Sequence, residues 1–157
     1  LRVSHRRASD AGPDALWHAA REVRLADTQV LGRLVRWRIP GLNAGLTYDD
    51  LFRAEPFVVL QESEHALVSG LVGRIWTLRR DYPRIDADEF ASWSAPGTAR
   101  VVFAHWVAGG VLHSETRVQA LGAQGRVGLA AVRPLVSAFG GLVGSEGIAA
   151  AVRAARR

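Results

Sequence analysis

Hydrophobic residues change their spacing along the chain, and each change predicts a different kind of secondary structure. A first strand is expected at Arg2–Ala8, followed by a helix that begins at Pro13, where the missing N–H is harmless. Apolar residues then recur every three or four positions from about Asp27 to Arg38, which predicts a second helix. The same spacing returns at about Gln124 and predicts one long C-terminal helix.

The middle of the chain has the alternation and the turn residues of antiparallel strands. Strands are expected at Phe57–Glu62, Ala66–Val72, Ala99–Val107 and Leu112–Leu121, and Arg74–Leu78 continues the second of them or begins another. Tight turns are expected to join the first of these strands to the second and the third to the fourth. The element order indicates an α+β domain.

A loop at residues 81–97 is expected to hold a helical turn at Glu89–Trp93. Phe90 and Trp93 could close the mouth of a cavity there. The favoured alternative is that they anchor the loop to the sheet.

The turn at Gly109-Gly110 determines which side chains of the last two strands face inward. With two residues in the turn, His105 pairs with Ser114, and paired residues project to the same side of the sheet. The opposite face then carries Glu115 and Arg117, whose burial would require full hydrogen bonding. The apolar face is expected to be the inner one. Its residues are Val101, Phe103, His105, Val107, Leu112, Ser114, Thr116 and Val118.

This inner face is similar to the wall of a ligand pocket, because it is mostly apolar and carries a few polar groups that could orient a guest. The alternative is that the polar residues belong to an ordinary core, each hydrogen-bonded to backbone or water. His105 is the one candidate acid or base, since a partly desolvated imidazole can titrate near neutral pH. Arg74 and Trp76 share one strand face, so either both line the cavity or both point outward.

Composition narrows the functional classes. The 157 residues suit one domain, and the absence of cysteine excludes disulfides, thiolate zinc sites and a cysteine nucleophile. All 20 basic residues are arginine, but they are scattered and the net charge is only +5, which does not favour nucleic-acid binding. No motif for a metal or a nucleotide is present, so neither a metal nor a cofactor is expected.

The longest uncharged run of the C-terminal region, residues 134–145, has 12 residues. A spanning helix needs roughly 18–20. We therefore do not expect stable membrane insertion. A cytoplasmic location is expected.

Four segments carry a pattern that is found, in the same order, in one superfamily: ASDAGPDALWHAAREV (8–23), LVSGLVGRIW (67–76), HSETRVQA (113–120) and RPLVSAFGGLVGSEGIAAAVRAA (133–155). The chain resembles the START-like helix-grip superfamily (SRPBCC), which includes polyketide cyclases, dehydrases and lipid-transport proteins. The resemblance covers essentially the whole chain. It implies a curved antiparallel sheet of six or seven strands wrapped around the long last helix, with two short helices after the first strand.

The resemblance also implies a cavity between sheet and helix that binds a lipid, sterol, quinone or polyketide. The superfamily has no universal catalytic residue, so none is carried over. The residues expected to contact a ligand are Trp76, Val101, Phe103, His105, Ser114, Thr116, Leu135 and Phe139.

Three functions remain open from the sequence alone. The leading hypothesis is a cofactor-free domain that binds a hydrophobic small molecule. The second is a cyclase or dehydratase that uses His105 as acid or base with Ser114 or Thr116. The third is an interaction module with a packed cavity, whose outer face docks a partner or a second copy across Trp106 or the free sheet edge.

Overall fold

One antiparallel sheet forms the centre of the protein in the computed structural model, which describes residues 1–28, 30, 33, 43, 45–77 and 82–156. Its strands are β1 (Arg2–Ala8), β2 (Val58–Ser63), β3 (Ala66–Gly73), β4 (Ala99–Ala108) and β5 (Val111–Ala120). Their spatial order is β1-β5-β4-β3-β2, so the sheet is open, with β1 and β2 at its edges. The expected α+β class is confirmed.

Helices occupy the segments between and after the strands. They are α1 (Pro13–Glu22), α2 (Tyr48–Arg53), α3 (Ala87–Ser92), α4 (Gly122–Leu142) and α5 (Ile148–Ala155). A π-helical turn, Val143–Gly147, joins α4 to α5, so the C-terminal region is helical from residue 122 to residue 155. This helical region contacts α1 and the strands β1 and β5.

The β4–β5 hairpin has the predicted register. Gly109 and Gly110 form its two-residue turn with φ values of 56° and 71°, a conformation that residues with a Cβ rarely adopt. His105 pairs with Ser114 as expected. Ser114, Thr116 and Val118 are all at most 5% exposed, so the prediction that this row faces inward is confirmed.

The strand expected at Arg74–Leu78 does not form in the described part of the chain. β3 ends at Gly73, which has a φ of 144°, and Thr77 N then donates to Arg74 O at 3.1 Å in a turn. The described residues therefore form five strands where six or seven were expected. Leu78 lies outside the described residues.

The second helix expected from Asp27 to Arg38 lies mostly outside the described residues. Its first residue, Asp27, ends a 3₁₀ helix at Leu25–Asp27. A different short helix, α2, precedes β2, and it was not among the expected elements.

Phe90 anchors the segment before β4 to the sheet, as favoured, whereas Trp93 bonds within that segment. Phe90 of α3 covers Gly70 on the outer face, where an added Cβ would lie 2.7 Å from the Phe90 ring. Trp93 Nε1 donates to Thr98 Oγ1 at 3.0 Å. Phe90 thus belongs to the face of the sheet opposite to the predicted cavity.

Candidate functional site

A row of polar side chains crosses the otherwise apolar inner face. Strand pairing places His5 of β1, Ser114 of β5 and His105 of β4 side by side, and Leu67 of β3 continues the row. The Nε2 atoms of both histidines are buried and have no hydrogen-bond partner among the described residues. Buried polar groups are nearly always paired, so two unpaired imidazoles on one face are unusual.

The Phe52 ring packs on His105, and three further aromatic rings pack on Phe52. The Phe52 ring centre lies 4.9 Å from that of His105 and 5.3 Å from that of Phe103. Phe57 lies 5.3 Å from Phe52 on another side, and Tyr48 lies 6.2 Å away. These separations are those of favourable aromatic pairs, so Phe52 holds α2 against the inner face of β4.

The sequence of α2 explains why this short helix forms. The Thr47 side chain caps it by accepting a hydrogen bond from Asp50 N at 3.1 Å. Tyr48, Leu51 and Phe52 follow at helical spacing, and all three are buried. The cap and this spacing were the signals that could have predicted α2 and its contribution to the site.

A small cavity of about 40 Å³ lies where α1, α2 and α5 meet the inner face. This volume holds about three water molecules at most. Its lining residues are Trp17, Ala20, Arg21, Tyr48, Asp49, Phe52, Leu67, His105, Leu112, Gly147, Ile148 and Ala151.

The π-helical turn shapes one wall of this cavity. A Cβ on Gly147 would lie 2.5 Å from the Tyr48 ring, so the ring packs directly on the backbone of the turn. Single π turns inside helices occur frequently at functional sites.

Burial sets the protonation of two of the titratable groups on the cavity wall, His105 and Tyr48. Burial lowers the pKa of His105 from 6.5 to about 4, so its imidazole is neutral at pH 7. Burial and the nearby Glu146 carboxylate raise the pKa of the Tyr48 hydroxyl, and the Thr28 hydroxyl opposes them in part. His105 and Tyr48 thus present neutral polar groups on the inner part of the cavity wall, which suit an uncharged ligand atom.

Ion pairs join the two helices that cover the cavity. Arg21 of α1 donates to both carboxylate oxygens of Asp49 on α2, at 3.1 and 3.0 Å. Arg53 also donates to Asp49 at 3.0 Å and pairs with Glu62 of β2. Burial raises the pKa of Asp49, but the two arginines hold it below its usual value. Because Arg21 and Asp49 line the cavity, their pair lies at its rim.

Most of the predicted contact residues lie on the inner face, but only one lines the cavity. Val101, Phe103, Ser114 and Thr116 are buried beside it, and His105 forms part of its wall.

Trp76, in the turn after β3, lies against α4 and not in the cavity. A Cβ on Gly128 would be 2.5 Å from its indole.

The expectation for Leu135 is not met, since this residue is 63% exposed. Two apolar rows run along α4, and the row of Leu129 and Val136 packs against the core instead. The side chain of Phe139 lies outside the described part of the chain.

A group of metal-ligand type lies apart from the cavity. Asp14, Glu64 and His65 each bring one ligand atom to within 4.8 Å of the others, and His65 Nε2 is 2.6 Å from Asp14 Oδ1. Asp14 is 87% exposed, so water competes for its carboxylate. The geometry fits an ordinary surface pair between α1 and the β2–β3 turn.

Comparison with protein-family models, with curated proteins and with solved structures finds no match to the chain. Within the described residues, no helix has the length and apolar character needed to cross a membrane.

Proposed function

We propose that this protein is a START-like helix-grip domain that binds a hydrophobic small molecule between the sheet and the C-terminal helix. The packing of the described helices supports this arrangement. The C-terminal helical region lies on β1 and β5, and Trp76, which follows β3, packs against Gly128 of α4. Helix contacts thus come from the β1–β5 side of the sheet and from the turn that follows β3.

The observation that carries the proposal is the Nε2 of His105, which has no hydrogen-bond partner in the part of the chain that the structure describes. It is buried beside aromatic rings at the wall of an apolar cavity, and leaving such a group unpaired costs about 1–3 kcal/mol. A bound ligand with a hydroxyl, carbonyl or phenol group would supply the missing hydrogen bond. Its apolar body would contact Phe52, Trp17 and Leu112.

Ligand entry would require the cavity to expand. Pockets for small molecules usually measure about 300–1,000 Å³, whereas this cavity measures about 40 Å³. Expansion would begin where α1 meets α2 at the cavity rim, because the Arg21–Asp49 pair that joins them there contributes only about 0–1 kcal/mol. Asp49 would keep Arg53 as a partner when Arg21 leaves.

The small volume also supports a second candidate, an interaction module whose interior stays closed. The cyclase or dehydratase alternative has less support, because an imidazole with a pKa near 4 is a weak base at neutral pH and is not protonated to act as an acid.

Native mass spectrometry of the purified protein, before and after organic extraction, tests the proposal. A removable apolar species, or uptake of a sterol or an anthraquinone, is the expected result. His105→Phe keeps the ring volume but removes Nε2, and it should weaken uptake by about tenfold, the equivalent of about 1.4 kcal/mol.

The matched control is His113→Phe on the outer face, which should leave uptake unchanged. A clean apo mass with no uptake from the panel would favour the closed interaction module.

A further inference from the structure

The outer face of the sheet holds a larger space than the inner cavity. A depression of about 430 Å³ lies beside α3, within the size range of ligand pockets. It is open to solvent on one side. Its lining residues are Leu1, Arg2, Phe90, Arg100, Val102, Arg117, Val118 and Gln119.

Glu115 lies next to this depression, buried under two arginines. The residue is only 5% exposed although it projects to the outer face, and Arg2 donates to it through Nε at 2.9 Å and Nη2 at 2.5 Å. Arg117 donates to its other oxygen through Nε. Burial raises the pKa of Glu115, but the two guanidinium groups hold it below its usual value, so the carboxylate stays charged.

The buried carboxylate fixes the two guanidinium groups and leaves part of each unused. Each arginine has five N–H donors. Among the described residues, Arg117 donates hydrogen bonds only through Nε, and Arg2 donates only through Nε and Nη2. Both side chains are about two-thirds exposed, so the remaining donors reach solvent. Side chains held in place by a buried partner bind ligands with less loss of conformational freedom.

The charge and the floor of the depression define what it could bind. Its three arginines, against the single Glu115, leave a surplus of two positive charges. Strand pairing places Arg2, Arg117 and Val102 in one row, and Phe90 covers the next position, Gly70. The depression thus has cationic groups at one end of the row and an apolar surface at the other.

We propose that this depression binds a small amphipathic carboxylate: the anionic group pairs with the free donors of Arg117 and Arg2, and a flat apolar body lies on Val102 and Phe90. Guanidinium groups suit this task because their planar fork matches a carboxylate. The site is separate from the inner cavity, so it does not rest on the function proposed above.

Isothermal titration calorimetry with naphthoate, and with the neutral analogue naphthalenemethanol, tests this site. Naphthoate should bind at least about tenfold more tightly than the alcohol, and its affinity should fall as salt is added. Arg117→Gln should reduce naphthoate affinity about tenfold, and Arg117→Lys, which keeps the charge but loses the fork, should fall between Arg117→Gln and the unmodified protein. Arg117 is largely exposed and Glu115 keeps its hydrogen bonds from Arg2, so both variants should fold, which urea denaturation checks.

The matched control is Arg6→Gln. Arg6 is exposed on the same face of β1, about 13 Å from Arg2 along the strand. Arg6→Gln removes one positive charge, as Arg117→Gln does, and should leave the affinity for naphthoate within about twofold of that of the unmodified protein. Equal binding of the acid and the alcohol, or equal losses in Arg117→Gln and Arg6→Gln, would overturn the proposal. So would naphthoate binding that is lost in Arg21→Gln but kept in Arg117→Gln, which would place the acid at the inner cavity.

Discussion

Replacement of Gly128 by alanine tests whether Trp76 holds the C-terminal helix against the sheet. An added Cβ would lie 2.5 Å from Cδ2 and Cε2 of Trp76 and 2.7 Å from Cγ. These atoms are the rigid inner part of the indole, so the ring or the helix must shift. Overpacking of this kind costs about 1–3 kcal/mol, whereas alanine gains about 1 kcal/mol over glycine in helix propensity. We expect a net loss of about 1 kcal/mol in the free energy of unfolding.

Gly141→Ala is the matched control, because Gly141 lies in the same helix. Among the described residues, its added Cβ would meet only His5 Nε2, at 3.9 Å. No side chain that the structure describes has to move, so we expect only the gain in helix propensity. This variant should gain about 0.5–1 kcal/mol, measured by urea denaturation with a common slope.

A double-mutant cycle with Trp76→Ala isolates the contact. Once the indole is removed, Gly128→Ala should stabilise the protein about as much as Gly141→Ala does. If Gly128→Ala is already stabilising in the presence of Trp76, the indole does not pack on this helix, and the support for the helix-grip arrangement is lost.

Three further substitutions test the inner and outer faces. The pKa of His105 is about 4 in the folded protein and 6.5 in the unfolded chain. As the pH falls, His105 is therefore protonated in the unfolded chain before it is protonated in the folded protein. The contribution of neutral His105 to the free energy of unfolding should be complete above about pH 6.5 and should fall by about 3 kcal/mol towards pH 4. His105→Phe should remove this part of the pH profile. An unchanged profile would contradict the burial of His105. Phe52→Ala should cost about 3–5 kcal/mol because Phe52 is 4% exposed and central, and a smaller cost than for the partly buried Phe57→Ala would refute the cluster. Glu115→Gln should cost about 1–2 kcal/mol in urea denaturation, and no loss would mean that its arginine bonds do not stabilise the fold.

The inner face could be predicted from the sequence because its information is local. The two glycines of the β4–β5 turn set the register of the hairpin, and this register assigns each residue of β5 to one face of the sheet. The length of this turn is therefore sufficient to pair His105 with Ser114 correctly. The strand expected at Arg74–Leu78 failed for a local reason too, since Gly73 ends β3 there.

The parts that could not be predicted depend on contacts between distant segments. The sequence around Thr47 could have predicted α2, but it does not show that Phe52 of this helix meets His105 of β4. Leu135 and Val136 belong to neighbouring apolar rows of α4, and only packing decides which row faces the core. The burial of Glu115 depends on Arg2, which is 113 positions away in the sequence.

The alternation of β5 places two candidate sites on opposite sides of one strand. Ser114 and Thr116 face the inner cavity, whereas Glu115 and Arg117 face the outer depression. His105 and Arg117 lie on opposite faces and three pairs apart along the hairpin, about 10 Å. At such a distance, with no shared hydrogen-bond partner among the described residues, the effects of His105→Phe and Arg117→Gln on stability should add to within about 0.5 kcal/mol. A larger deviation would mean that β5 shifts as a unit, so that occupation of one face alters the other.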